Sequence, residues 1–538
     1  METTELKPPI DFFPLKEPRA GQVKALDFFK RAVDEGYSDI VIAAPTGFGK
    51  SVVGASVCYW GAQAGISDGC SPGGYYLVTQ KLLQDQLERD IDSSVSMRGA
   101  SLKSAAEYPC QKHRTCNIGL AAKSKCQALK DNACAYLSAK SNFLSSPFAI
   151  TNYAYFLTER VFVNKMPART LLVADECHTL EGQLTRFAEM AVSNKLLQEL
   201  MIPNVNGVIE TEDIMEFCNW IARCLLPAIN SRIVDLRESL DEGLELSQAQ
   251  NKELSQLTSL ASRFSNSIAD IKKDRDNWVY WQEGDGRGGL TAVARPIEAS
   301  KYTHLIRSMA SIRLYMSAYP GPKEAFCRSL GLDTDDVAWL NLKSTFPPEN
   351  RPIVMGMIGS MGRQKVEKTM PGMLRVVEKV MDKHATEKGL IHCNSYQIGQ
   401  AIFDKLSTTQ HASRLLYPKA SEARTSAYLQ HSQSKLPTVL ISPSMTEGFD
   451  FNEDMARWQI ITKMPYPYLG DKQVAAKKER DPDWYAMKTI MTIIQAAGRI
   501  CRSETDHGIT YILDSDFQNL WERHRDFFPK WFVEAIVW

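Results

Sequence analysis

Apolar runs of strand length alternate with helical patterns twice along this chain, from about Asp39 to Ala188 and again from about Gly389 to Asp514. Each stretch predicts an α/β sheet of mainly parallel strands. The texture between them differs. Ile214, Phe217, Ile221 and Leu225, then Ile233, Leu236, Leu240 and Leu244, then Leu254, Leu257, Leu260, Phe264, Ile268 and Ile271 recur at spacings of three, four and seven. That periodicity predicts an all-helical insert packed as hairpins. It ends near Trp278-Val-Tyr-Trp281, where two alternating runs flank a glycine-rich Gly284–Gly289 and predict a β-hairpin. Trp278, Tyr280 and Trp281 fit hairpin packing better than a base platform.

Composition narrows this picture. At roughly 150 residues per domain, 538 residues suggest three or four domains. The 44% hydrophobic and 23% charged content excludes disordered, collagenous and fibrous classes. The 63 Lys+Arg balance 63 Asp+Glu, so attraction to a polyanion has to come from local patches. No run approaches the roughly eighteen apolar residues of a spanning helix, so no membrane is expected. Asp11, Lys16, Glu17, Arg19 and Lys24 interrupt the first thirty residues, and no apolar run of signal-peptide length occurs there. A cytoplasmic chain is expected, nucleoid-associated in a bacterium or phage.

The strand Asp39–Ala43 runs straight into Ala44-Pro-Thr-Gly-Phe-Gly-Lys-Ser51 and then an Ala/Val-rich helix, a P-loop in its proper strand–loop–helix setting. Thr46, Gly47 and Gly49 let the backbone close round phosphates, Lys50 reaches the β/γ-phosphates, and Ser51 offers a hydroxyl to Mg²⁺. Ala44 stands where the generic pattern has Gly. A second strand, Thr170–Ala174, delivers Asp175-Glu-Cys-His178. Asp175 is expected to hold Mg²⁺ and Glu176 to polarise the water that attacks the γ-phosphate of ATP. On a continuous helix Gln495, Arg499 and Arg502 fall at i, i+4 and i+7 and share a face, so both guanidiniums can serve as fingers on one phosphate.

With these pieces the chain resembles the DinG/XPD family of superfamily 2 helicases over nearly its whole length. Arg19-Ala-Gly-Gln22 looks like the family's adenine-reading motif. Tyr76-Leu-Val-Thr-Gln-Lys81 looks like its first strand-contacting motif and Ile150-Thr-Asn-Tyr153 like the segment before the DEAH-type box. Gly389 to Tyr396, Glu447-Gly-Phe-Asp450, Ile461 to Pro465 and Gln495 to Arg502 look like second-lobe motifs, in the family's order. The resemblance implies two RecA-like P-loop NTPase lobes with ATP between them, Arg19, Gln22, Gly448 and Asp450 at the nucleotide, and Thr79, Lys81, Asn152 and Ser395 on DNA. It further implies a monomer that moves 5′ to 3′ on single-stranded DNA and unwinds forked or 5′-tailed duplexes. RNA or an RNA–DNA hybrid is an alternative substrate, and an alternative activity is a nucleic-acid-stimulated ATPase that remodels nucleoprotein without unwinding. One departure stands out. In Tyr315-Met-Ser-Ala-Tyr319, Tyr319 occupies the threonine place of the family's Ser-Ala-Thr coupling motif.

Cys110, Cys116, Cys126 and Cys134 lie within 25 residues, where an even spread of 12 cysteines would place about half of one. Such clustering implies a metal. Spacing alone leaves iron, zinc and free thiols open. The resemblance implies a [4Fe–4S] cluster held by the four thiolates. Seven lysines and arginines against two acids between Ser101 and Lys140 give a local charge of +5, and Tyr108 and Tyr136 flank the outer cysteines, suited either to strand tracking or to packing on the cluster. The helical insert would be an Arch-like domain. The expected division is 1–95, 149–192 and 286–345 for the first lobe, 96–148 for the cluster domain, 193–285 for the Arch-like insert, and 346–538 for the second lobe.

Overall fold

The computed structural model describes residues 6–63, 69–93, 97–109, 134–202, 211–242, 246–284, 289–419, 423–443, 451, 453–501, 503 and 505–538. In chain order its strands are β1 (Asp39–Ala43), β2 (Ser71–Val78), β3 (Ala100–Ser101), β4 (Phe148–Asn152) and β5 (Arg169–Asp175), then β6 (Met190–Ser193), β7 (Trp278–Gly284) and β8 (Leu290–Pro296), then β9 (Ala310–Ser317) and β10 (Val337–Asn341). Seven of these form a parallel sheet in the order β10-β1-β9-β5-β2-β4-β3. Alternation within its strands supplies two cores. Ile40, Ile42, Leu171 and Val173 face one side, while Val41, Leu172 and Ala174 face the other. At the amino end of β1, Asp39 takes two bonds at 2.8 Å from Arg313, one at 2.9 Å from Tyr315 and one at 3.1 Å from Arg307, which fixes β1 against β9.

The remaining strands are β11 (Ile353–Gly359), β12 (Gly389–His392), β13 (Leu415–Leu416), β14 (Val439–Ser442), β15 (Trp458–Ile461), β16 (Ile509–Asp514) and β17 (Ile536–Val537). They form a second parallel sheet in the order β13-β14-β12-β15-β16-β11-β17. Both sheets are RecA-like, as expected. The carboxyl ends of their strands carry the loops that build the site.

The expected hairpin forms as β7 paired with β8, and β6 adds to it as a third antiparallel strand. Within 286–345, therefore, the first large sheet resumes only at β9. Trp278 and Trp281 are buried, and the Tyr280 ring lies 4.8 Å from that of Phe217, so all three aromatics serve packing. The helical insert runs as Ile214–Trp220, a π-helical turn Ile221–Leu225, Leu226–Asp241 and Gln248–Lys273. Phe217, Ile221, Leu225, Ile229 and Ile233 recur every fourth residue, which drifts away from a 3.6-residue turn, and the wider π turn absorbs the drift. Their side chains join the same apolar cluster as Tyr75 and Leu172, so the insert shares a core with the first sheet.

The two halves meet along a polar and apolar seam. Tyr319, two residues past β9, sits in the second half's core cluster with Ile353, Met487 and Phe517, and its hydroxyl donates to the carbonyl of Phe527. The buried carboxylate of Glu181 receives Lys477, Lys488 at 3.0 Å and the Trp484 indole N–H at 3.0 Å. Arg295 on β8 bridges Glu189 at 2.6 Å and Asp471 at 2.9 Å.

Candidate active site

β1 ends at Ala43, and the amide of Ala44 is held by the carbonyl of Ser317 at 2.9 Å, which hangs the loop from two neighbouring strands. Gly47 and Gly49 have φ of 74° and 82°, a region that L side chains rarely adopt. At Gly49 a Cβ would also meet the Gln22 amide at 2.6 Å. Lys50 and Ser51 then open the helix Lys50–Trp60. Arg19 donates to the carbonyl of Gly47 at 2.8 Å and Gln22 to that of Phe48 at 2.9 Å, while the other end of the Gln22 amide accepts from Arg19 N at 2.9 Å. These two residues thus brace the loop.

β5 presents Asp175 at its carboxyl end. Tyr76 donates to Asp175 Oδ2 at 2.8 Å, Tyr153 donates to the Asp175 carbonyl at 2.8 Å, and Oδ1 accepts from the next amide at 2.9 Å. Glu176 has φ of 49°, a strained conformation for a non-glycine residue that turns its carboxylate towards Lys50, 3.6 Å away. The two acids are driven apart electrostatically. Burial and the neighbouring Glu176 raise Asp175 above the usual carboxylate range. Burial opposes ionisation of Glu176 as well, but Lys50, His178 and Arg499 together hold it well below the usual carboxylate range. Glu176 is therefore a fixed anion ready to accept a hydrogen bond from water. Ser51 and Asp175 line one cleft and supply hard oxygen donors, a set that fits Mg²⁺.

His178 ties this centre to the second half. Its Nδ1 lies 3.3 Å from Glu176 Oε2 and 2.9 Å from Ser317 Oγ, and its Nε2 accepts from the side-chain amide of Gln495. Lys488 donates to the His178 carbonyl at 3.2 Å. Thr46, Lys50, Ser51, Asp175 and Glu176 from the first half and Gln495 and Arg499 from the second line one cleft of about 590 Å³. The shared helix face expected for Gln495, Arg499 and Arg502 is corrected in part. The helix Pro482–Ala497 stops before Arg499, with Gly498 at its C-cap, and a Cβ on Gly498 would meet Thr46 at 3.1 Å. Arg499 reaches the cleft from the turn that follows.

The region 377–535 matches the family described as Helicase C-terminal domain, and 15–202 matches Type III restriction enzyme, res subunit. The chain is 21% identical over 432 residues to the ATP-dependent DNA helicase YoaA of Haemophilus influenzae, covering 71% of this chain and 66% of that protein. It is 21% identical over 313 residues to a probable ATP-dependent helicase of Methanocaldococcus jannaschii, covering 53% and 46%. Among solved structures, one titled XPD_Helicase aligns over 95% of this chain and 98% of its own, with a TM-score of 0.62 at 16% identity. The chain is thus similar to helicases in both matched regions and shares its fold with XPD. It spans less than two thirds of the length of the curated relatives it matches.

Other residues singled out from DinG/XPD motifs fall in varied places. Thr79 lines the cleft. Lys81 pairs with Glu107. Asn152 caps the helix Tyr153–Thr158 by accepting from Tyr155 N at 2.9 Å, and Ser395 caps Tyr396–Leu406. Gly448, Asp450, Arg502, Cys110, Cys116 and Cys126 lie outside the described residues. Cys134 is the N-cap of helix Ala135–Ser145, and among the described residues no group of metal-binding side chains converges. The local charge of +5 is reduced by the fold: Lys103 pairs with Asp85 at 2.5 Å and Glu88 at 2.6 Å, and the buried Lys140 pairs with Glu159 at 2.6 Å. Tyr108 and Tyr136 lie 5.7 Å apart and pack on the first core. Sequence reading gave His178, Ser317 and Lys488 no role. The histidine of the box and the serine of the coupling motif were the available signals.

Proposed function

We propose that this chain hydrolyses Mg²⁺-ATP in the cleft between its two sheets and uses the cycle to move 5′ to 3′ along single-stranded DNA, opening forked and 5′-tailed duplexes. The observation that carries this reading is the relay Glu176–His178–Gln495, which joins the general base of one half to the phosphate-facing arginine segment of the other. Glu176 orients and deprotonates the attacking water, Lys50 and Arg499 neutralise charge on the transferring phosphoryl group, and Arg502 joins them from the same segment. Ser51 and Asp175 hold Mg²⁺, which when bound adds further neutralisation at the phosphates. Because the relay closes only when both halves approach, hydrolysis is gated by their closure, and each cycle advances one half along the strand.

Four thiolates, Cys110, Cys116, Cys126 and Cys134, are proposed to hold a [4Fe–4S] cluster, a reading supported by their clustering and by the resemblance of the chain's motifs to the DinG/XPD helicases. Protein purified without oxygen should be brown, and Cys116→Ser should bleach it. A colourless wild-type protein would point to zinc. A second reading, an ATPase that remodels nucleoprotein without separating strands, is favoured by Tyr319, which ties the halves together where the family has a threonine. Strand displacement on 5′-tailed, 3′-tailed, forked and RNA-containing duplexes, run beside ATPase assays, separates the two. Strand-stimulated ATP turnover without displacement of any duplex would overturn the first reading in favour of the second.

A further inference from the structure

Past β15 the chain runs through Lys463-Met-Pro-Tyr-Pro-Tyr-Leu-Gly470 into the helix Lys472–Arg480. The ATP cleft makes no use of this loop. Its root is fixed. Tyr466 stacks on Tyr485 at 5.6 Å with 10° between the planes, the Lys478 ammonium lies 4.7 Å from the Tyr485 ring, and the Tyr485 hydroxyl donates to the Pro467 carbonyl at 3.1 Å. Its tip is open. Tyr468 is 80% exposed, and one side of its ring lies over Gly470, where a Cβ would meet three of its atoms at 2.2–2.3 Å. The glycine lets the ring lie against its own backbone, and the Asp471 amide closes the turn on the Tyr468 carbonyl at 3.1 Å. An aromatic ring backed on one side and bare on the other costs little entropy to stack upon.

The position of this ring is as informative as its exposure. The Asn394 amide donates to the Lys463 carbonyl at 2.8 Å, joining the loop to the segment of Ser395 and the half-exposed Tyr396. At its other end Asp471 is bonded to Arg295 of β8, so the ring stands where the rim of the second sheet meets the first half. Between Lys463 and Arg480, Lys477 is buried on Glu181, which leaves the cations at 463, 472, 478 and 480 against Glu479 and against Asp471, itself paired with Arg295, in a chain that is neutral overall. Bare aromatic surface beside unbalanced positive charge suits a base next to its phosphates better than an apolar peptide.

We propose that Tyr468 is a stacking platform for one nucleobase of the single strand, placed where the strand passes from the second half to the first. This rests on the nucleic-acid reading above. The test is fluorescence anisotropy of a labelled oligo-dT with wild type, Tyr468→Ala, Tyr468→Trp and Gly470→Ala, each checked for folding by circular dichroism. Tyr468→Ala should bind roughly tenfold more weakly, Tyr468→Trp should bind as wild type does, and Gly470→Ala, which displaces the ring, should also weaken binding. The salt dependence of the Tyr468→Ala protein should keep the wild-type slope, because no phosphate contact is lost. On a strand of abasic sites the wild type and Tyr468→Ala should bind alike. Wild-type binding with no loss in Tyr468→Ala would overturn the stacking site alone. Failure of folded wild type to bind oligo-dT at all would overturn the nucleic-acid reading and the stacking site with it.

Discussion

Tyr319 belongs by sequence to the first half and by packing to the second, so its side chain measures how firmly the halves are joined. It is 8% exposed within a cluster built from second-half residues, and its hydroxyl satisfies the Phe527 carbonyl. Tyr319→Phe removes only the hydrogen bond and should weaken the junction by about 1 kcal/mol. Tyr319→Thr also empties most of the ring's volume and should cost about 3 kcal/mol. If that energy holds the halves closed, the ratio of closed to open molecules falls roughly fivefold in the first variant and roughly a hundredfold in the second. Fluorescence energy transfer between dyes on the two halves would read the distribution directly, and the KM for ATP should rise in the same order while the protein stays folded. An unchanged distance distribution and KM in Tyr319→Thr would refute the clamp.

Three further outcomes follow from the geometry. Glu176→Gln should lower ATP turnover by roughly 10²–10⁴-fold and retain nucleotide binding, measured by equilibrium titration; undiminished turnover would remove Glu176 as the base. Asp39→Ala leaves the buried Arg313 without its carboxylate and should destabilise the first half by about 3 kcal/mol or more in urea unfolding, with a loss below 1 kcal/mol contradicting a structural role for the pair. His392 and His431 are each depressed from 6.5 to about 4, mainly by burial, so they fold neutral. Their contribution is complete above pH 6.5 and is lost as pH falls towards 4, because the unfolded chain takes up protons that the native state refuses, at about 1.4 kcal/mol per pH unit for each. The stability gap between wild type and His431→Gln should therefore shrink as pH falls through that window, and a constant gap would contradict the assignment.

The parts of the fold legible in sequence are those encoded locally. Asp39–Ala43 reads as a buried strand because five apolar or strand-capping positions run straight into a glycine loop, and the structure forms that strand with the same bounds. β11 escaped the pattern because Gly356 and Gly359 interrupt its apolar run. Gly356 is there because a Cβ would strike Leu513 at 2.6 Å, a contact with a strand more than 150 residues away. Charge was misjudged for the same reason. Lys103 and Lys140 count as free cations in a window of sequence, but their carboxylate partners Asp85, Glu88 and Glu159 lie on other elements. Helical phase misled at Arg499, since periodicity assumes that the helix continues and Gly498 ends it where the first half's Thr46 comes close.

That last contact explains why the site depends on the seam. Gly498 brings the turn holding Arg499 against the P-loop, Gln495 reaches His178, and Lys488 holds both the His178 carbonyl and Glu181. Three points on one helix and the turn after it thus grip three points around the phosphate loop and the acid box. The motifs could be listed from sequence one at a time, but the grip depends on how two sheets with separate cores are set against each other. A buried ion pair such as Lys477 with Glu181 adds little net stability once its desolvation is counted. Its value lies in register, because the same two charges left unpaired would be costly in any other placement of the helix Lys472–Arg480, and this one placement aims Arg499 at the cleft that holds Lys50 and Glu176.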